Sequence, residues 1–200
     1  MDNTCELLIK AAKKKFAQHG YSGAKVKEIA KEAGVNISLI SYHFGGKDGL
    51  YRACLEPFGK ERLAFAEKVL IQPKSVEDMQ NKLHLWSRHF LECHVEEHEI
   101  TTILHRDCLH DSKFMKELFQ KTFLKVFETV VAFLTAAKKK GFLRADIDAQ
   151  LAASLYYGSL IHIGRTDKIQ KEFFGKSILD KKYREQIIEQ SLQILMKGIT

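Results

Sequence analysis

Six of the nine histidines crowd into residues 84–110: His84, His89, His94, His98, His105 and His110, with Cys93 and Cys108 among them. Imidazole nitrogen and thiolate sulfur are common zinc ligands, and side chains one helical turn apart can chelate an ion from one face. His94 with His98, and His89 with Cys93, have that four-residue spacing. Glu92, Glu96, Glu97 and Glu99 are interleaved, however, which is how a solvated helical surface looks, and no second motif supplies a completing ligand set. Solvated or hydrogen-bonded histidines account for the run without an ion, so the expectation is no metal and no cofactor. A metal-dependent enzyme built on this cluster is kept as an alternative function. No HExxH, nucleophile elbow or catalytic Cys/His signature accompanies it.

A second set lies between residues 25 and 47 and has the chemistry of a DNA reader. Val26, Ile29, Ala30 and Ala33 mark one apolar face of a short helix by their i, i+3, i+4, i+7 spacing. Gly34 allows the left-handed C-cap that ends it, and Asn36 is placed to cap the next helix, which is expected over about Ile37–Phe44. Gly45-Gly46 breaks that helix and Lys47 opens another. Helix, tight turn, helix is the layout whose second member enters the major groove. At 100° per residue, Ser38, Leu39, Tyr42 and His43 fall opposite Ile40 and Phe44, and Ile37 falls with that inner pair by the count, although whether it faces DNA or core is left open. Ser38 suits a base edge and Leu39 a thymine methyl. Tyr42, His43 and Lys47 suit phosphate oxygens.

Gly20-Tyr21, Val26, Ile29-Ala30, Ala33-Gly34-Val35, Tyr42-His43-Phe44, Lys47-Asp48 and Leu50 together resemble the N-terminal domain of the tetracycline-repressor (TetR) family, over about residues 5–52. The resemblance implies an all-α fold: an N-terminal three-helix DNA-binding domain with a helix-turn-helix, then a C-terminal helical bundle for ligand binding and dimerisation. The boundaries expected are 1–52 and 53–200, with the break inside the fourth helix. Family members usually carry a hydroxyl residue where Lys25 stands, so a long cation replaces a short cap here. The common pattern also has tyrosine at Ser41 and serine at Asn36. Lys25, Asn36, Ile37, Ser38, Leu39, Ser41, Tyr42, His43 and Lys47 are the DNA-binding candidates. The implied function is a ligand-responsive regulator, expected to be a repressor that binds a palindromic operator on double-stranded DNA as a homodimer. An architectural DNA-binding protein without a ligand is the other alternative.

Charge agrees with a polyanionic partner. The formal net charge is +7, and residues 1–60 hold ten Lys/Arg against six acids. Charged residues at 28% and apolar ones at 45% describe an ordinary globular chain. MDNTCELLIK lacks the basic start and apolar core of a signal peptide. Cys5, Cys54, Cys93 and Cys108 follow no paired spacing, so reduced thiols in the cytoplasm are expected, with no membrane partner.

Every segment past Val76 reads as helix. Pro57 is expected to kink a helix running from Lys47 to about Leu70, and Ser75 with Asp78 reads as a capping box. Lys113–Lys140 reads as one rod of ~42 Å, ended by Gly141. Asp146–Gly164 is apolar nearly all round, so one side meets its own core and the other wants a partner. The family resemblance implies that this helix and the last, Leu179 to about Lys197, pair with their copies in a dimer. It also implies an inducer cavity in the bundle. Trp86, Phe90, Phe119, Phe123, Phe127, Tyr156 and Tyr157, with His94, are the ligand-binding candidates for a small, mostly apolar or aromatic effector.

Overall fold

The computed structural model describes residues 3–107 and 113–199, which form helices with no strand among them. In chain order these are α1 (Asn3–Gly23), α2 (Val26–Ala33), α3 (Ser38–Phe44), α4 (Lys47–Val69), α5 (Val76–Glu96) and α6 (His98–Asp107). They continue with α7 (Lys113–Leu118), α8 (Leu124–Lys139), α9 (Ala149–Arg165), α10 (Asp167–Phe174) and α11 (Lys181–Ile199). Packing divides the chain into two units. One holds Met1–Glu61 with Glu97–Lys121; the other holds Arg62–Glu96 with Thr122–Thr200. The cut at Glu61 falls inside α4, nine residues beyond the break at 52 read from the sequence.

The first unit is built on α1, whose inner face buries Leu8, Ala12 and Phe16 completely. Ile29 and Ala30 from α2, Ile40 from α3 and Leu50, Tyr51 and Leu55 from α4 complete its core. Each large apolar side chain taken out of water contributes ~1.5–3 kcal/mol. The α1 rod leaves helical geometry at Gly20, where φ is 73° and ψ 171°. That conformation suits a residue without a Cβ, and it turns the chain toward α2. Helix α6, distant in sequence, packs on α1 and is fastened there by polar side chains. Arg106 donates from Nη1 to the Ala17 carbonyl at 2.9 Å and from Nη2 to the Phe16 carbonyl at 2.6 Å. Its Nε meets Asp107 at 2.9 Å, and the other Asp107 oxygen accepts from the Tyr51 hydroxyl at 2.7 Å. Burial, followed by the Asp107 hydrogen bond, raises the Tyr51 hydroxyl well above an ordinary phenol. Orphan carbonyls near the end of a helix need donors, and Arg106 supplies two.

In the second unit, α5, α8, α9 and α11 enclose one core containing Leu83, Trp86, Val130, Phe133, Tyr156 and Ile188. Asp78 caps α5 from both sides: its N–H donates to the Ser75 hydroxyl at 3.0 Å, and its carboxylate accepts from Lys74 N at 2.8 Å. The lysine run ending α8 is structural: Lys138 donates to the Ile147 carbonyl and Lys140 to that of Pro73. Helix α9 is capped by Asp148, which accepts from Leu151 N at 2.7 Å.

As expected, α4 is one helix from Lys47 to Val69 with Pro57 inside it. Two expectations change. The rod expected over Lys113–Lys140 is divided by a π-helical turn at Phe119–Phe123 between α7 and α8. The extra residue in such a turn breaks the 3.6-residue period, so a count at 100° misplaces the residues beyond it. Helix α10 is an addition to the elements read from the sequence. Its signals are present there: Ile169 and Phe173 are four apart, and Gly175 takes the left-handed cap at φ 64°. No helix among the described residues is long and apolar enough to cross a membrane.

Candidate nucleic-acid interface

The frame around α3 is set by glycine turns at Gly34 and Gly45 and by a close approach at Gly49. Gly34 ends α2 at φ 69°, its N–H returning to the Ala30 and Lys31 carbonyls. Asn36 then folds back on the start of α3. Its side-chain oxygen accepts from Ser38 N at 2.9 Å and from the Ser38 hydroxyl at 2.8 Å. The Ser38 hydrogen is thereby spoken for, which leaves its lone pairs to face outward as acceptors. Gly45, at φ 69°, ends α3 with its N–H on the Ser41 carbonyl at 3.0 Å. Gly49 carries no signal in the sequence pattern, yet a Cβ there would lie 1.8 Å from the Phe44 carbonyl oxygen. The first turn of α4 therefore presses directly on the end of α3.

Held this way, α3 buries Ile40 and opens its other side. Ser38, Ser41 and Tyr42 are exposed, Tyr42 to 81%. Leu39 and His43 are half-buried flanks rather than the centre of the outer arc, and the edge of one ring in the Tyr42–His43 pair meets the other at 4.9 Å. Ile37, which the angular count groups with Ile40 and Phe44, is instead 45% exposed. It stands at the N-terminal cap of α3 with φ −58° and ψ −31°. Lys25 is exposed at the start of α2 and makes no side-chain cap.

Lys47 sits above the Tyr21 ring at 4.8 Å and reaches the Ser22 carbonyl at 3.4 Å. Tyr21 donates to Asp48; burial, then the Asp48 contact, pushes its hydroxyl up to about 12. The basic run on α1 is largely occupied: Lys13 pairs with Glu97 at 2.7 Å, and Lys14 and Lys15 both pair with Glu32.

Residues 8–54 match the family model described as "Bacterial regulatory proteins, tetR family". Over these residues the chain is similar to that family's N-terminal domain. The chain is 28% identical over 132 residues to the "Probable HTH-type transcriptional regulator YttP" of Bacillus subtilis (strain 168), covering 64% of this chain and 63% of that one. It is 32% identical over 97 residues to the "HTH-type transcriptional repressor SCO4008" of Streptomyces coelicolor, covering 48% and 45%. The matches thus span less than two thirds of these relatives' own length. The fold is similar throughout to the transcriptional regulator FadR from Bacillus subtilis in complex with stearoyl-CoA, with a TM-score of 0.74 at 18% identity, covering 98% of this chain and 99% of that one.

Elsewhere in the chain, part of the aromatic set converges. Trp86, Phe90, Phe127 and Tyr157 pack in the second unit with ring centroids 5.4–6.1 Å apart for the pairs that include Phe90 or Phe127. Tyr156 joins them beside Trp86 and shares a 2.6 Å hydrogen bond with Ser87. His94 stacks obliquely on Phe90 at 4.6 Å, and its Nδ1 bonds the Phe90 carbonyl at 2.9 Å. Phe123 is half-buried in the π turn, and Phe119 is 41% exposed and belongs to the first unit. Arg62 is absent from the sequence-based set, yet it is buried, 6% exposed, with its guanidinium 4.1 Å from the Phe90 ring centroid. Basic residues on a polar-looking helix carry no sequence signal of burial.

The histidines scatter instead of converging. His84 lies 3.7 Å from Glu185, His89 stacks on Phe65 at 3.7 Å with Cys93 Sγ 3.5 Å from its Nε2, and His98 is exposed. Cys108 and His110 lie outside the described residues. Among the described residues no three His, Cys, Asp or Glu side chains are grouped to hold a metal ion.

Proposed function

We propose that this chain is a ligand-responsive transcriptional regulator, acting as a repressor that binds a palindromic operator as a homodimer. The observation that carries this reading is the α3 frame. The glycine turns at Gly34 and Gly45 and the Asn36 cap present Ser38, Ser41 and Tyr42 to solvent while Ile40 anchors the helix from below. Ser38 and Ile37 face base edges. Tyr42, His43, Lys25 and Lys47 meet phosphate, which positions the reader without choosing a sequence. Two such helices related by a twofold read half-sites one helical turn apart or a multiple of it.

The twofold partner packs on α9 and α11. Helix α9 buries Ala152, Ala153, Tyr156 and Leu160 inward, yet leaves Leu151 60% and Leu155 68% exposed on its opposite side. Ile194 on α11 is 75% exposed. The effector is a mostly apolar molecule bound among Trp86, Phe90, Phe127 and Tyr157. Buried Arg62 beside those rings suits an anionic end on that molecule. The stearoyl-CoA held by FadR has this chemistry, an apolar chain on an anionic head.

Selection from a random duplex pool tests the reading. A two-fold symmetric sequence should emerge, and stearoyl-CoA is the first probe for its release. Binding without a preferred sequence, falling steeply with salt, would make the chain an architectural protein instead.

A further inference from the structure

Lys47 is held in place without being neutralised. Its ammonium lies over the Tyr21 ring at 4.8 Å and donates to the Ser22 carbonyl at 3.4 Å, and both partners are uncharged. Lys13, Lys14, Lys15 and Lys60 in the same unit are treated differently, since each meets a glutamate carboxylate. A carboxylate stands on the residue next to Lys47, yet Asp48 is engaged elsewhere and accepts from the Tyr21 hydroxyl. One phenol thus carries the cation on its face and holds the neighbouring anion at its rim.

That phenol is rooted in the core. Its ring stacks on Phe16 with centroids 6.3 Å apart, and Tyr51 meets it edge-on at 5.0 Å. Phe16 and Tyr51 are 0% and 2% exposed, so the core fixes where the Tyr21 face points. An aromatic face attracts a cation through its quadrupole and leaves the unit charge uncancelled. Lys47 also opens the 23-residue helix α4, where a cation opposes the positive pole of the helix dipole. The stability of α4 therefore does not explain a lysine at this position.

We propose that Tyr21 is a positioning residue for the phosphate contact of Lys47. Its ring aims the ammonium, and its hydroxyl withholds the Asp48 carboxylate, which would otherwise pair with that ammonium. The proposal rests on the reading of this unit as a DNA binder in which Lys47 meets phosphate. It assigns separate tasks to the two functional groups of one side chain. A lysine already paired with a carboxylate releases fewer counterions when it meets phosphate. The salt dependence of binding therefore reports how much charge Lys47 brings.

Fluorescence anisotropy of the full chain on a duplex selected from the random pool, titrated between ~50 and ~200 mM salt, tests this with Y21F. That change keeps the ring and releases Asp48. Y21F should bind ~2–5-fold more weakly, the worth of one exposed ion pair, with a salt slope shallower by up to about 1. It should add no loss in D48N, where no carboxylate is released, or in K47A, where no ammonium remains. Y21L, which removes the ring as well, should lose a further ~2–5-fold, the range of an exposed cation–π contact, again only where Lys47 is present. If Y21F costs as much in K47A or D48N as in wild type, Tyr21 acts through packing and the proposal fails. It fails too if Y21F binds with wild-type affinity and slope. Should Y21F melt below wild type, the K47A background still decides, because a folding defect persists there and a positioning effect does not. A wild type that selects no duplex defeats the DNA reading itself. A K47A chain with wild-type affinity and slope leaves that reading standing and removes the phosphate role of Lys47, and this proposal with it.

Discussion

Residues 26–50 and residues 84–105 are both dense in side chains capable of chemistry, and the fold treats them in opposite ways. In the first stretch, turns at Gly34, Gly45 and Gly46 fix short helices, and the polar residues of α3 share one open face. In the second, a helix of 21 residues spreads its histidines around its circumference. His84 turns to Glu185, His89 to Phe65 and His94 to Phe90. A site needs side chains that converge, and convergence comes from a frame and not from density. Spacing of four residues on one helix gives two ligands at most, and nothing opposite α5 completes a set among the described residues.

The sharpest way to break the first region is Gly49→Ala. The new Cβ would stand 1.8 Å from the Phe44 carbonyl oxygen, and both atoms belong to or hang directly on backbone. Overpacking costs ~1–3 kcal/mol where side chains can give, occasionally more, and here they cannot. We expect a loss at or above ~3 kcal/mol, seen as a lower melting temperature, together with loss of operator binding. A variant that melts like wild type would mean that the α3–α4 junction is not as tight as described.

The matching test of the second region is Gly164→Ala. Its Cβ would lie 2.5 Å from His94 Cδ2, so the ring must move or the helices part. We expect a cost of ~1–3 kcal/mol. Removing the ring should relieve it: His94→Ala combined with Gly164→Ala should destabilise less than the sum of the two single changes. Strict additivity by melting would show that the contact is unimportant. A rise in wild-type melting temperature on adding zinc would instead restore the ligand reading of the histidines.

These two glycines show how much of the molecule is legible in its sequence. The helix-turn-helix can be read because it is local: Gly34, Asn36, Ile40 and Gly45 act through neighbours within a few residues. Helices α5, α9 and α11 can be read from periodicity, and the dry outer side of α9 from Leu151 and Leu155. The hidden features depend on distant partners. Arg106 serves carbonyls some ninety residues earlier, Gly164 is needed only because His94 is there, and Arg62 shows its burial only in the packed bundle. The π turn at Phe119–Phe123 shifts a period that a sequence count assumes to be constant.

Within the open face of α3, smaller effects separate positioning from reading. Tyr42→Ala should leave stability within ~0.5 kcal/mol, as expected of an exposed side chain, since Tyr42 is 81% exposed. Under the proposed role it should weaken binding to all sequences alike. Lys47→Ala should do the same and reduce the salt slope by about 1. Ser38→Ala should instead change preference at one base position, and Asn36→Ala should shift that preference by freeing the Ser38 hydroxyl to donate. Titration of random and operator duplexes distinguishes these outcomes. A Lys47 variant with altered sequence preference but intact overall affinity would overturn the assignment.

The smallest effect expected comes from Glu32, which faces the basic run on α1. Its carboxylate is held below the ordinary value of 4.5, first by the Lys14 hydrogen bond and then by the charges of Lys14 and Lys15. A depressed carboxylate contributes stability while it is ionised in both states, and loses that contribution as pH falls through its folded value. Glu32→Gln should therefore be slightly less stable than wild type at neutral pH. The gap should close below the ordinary carboxylate range, where wild-type Glu32 is protonated and resembles glutamine. The same change releases Lys14 and Lys15 from their paired carboxylate. If the proposed DNA interface extends to α1, affinity for all duplexes should rise at neutral pH and its salt dependence should steepen. Melting at pH 7 and pH 3 with a salt titration of duplex binding reads both arms. A stability gap that persists unchanged at pH 3 would show that Glu32 acts through packing, and unchanged DNA affinity would place Lys14 and Lys15 outside the interface.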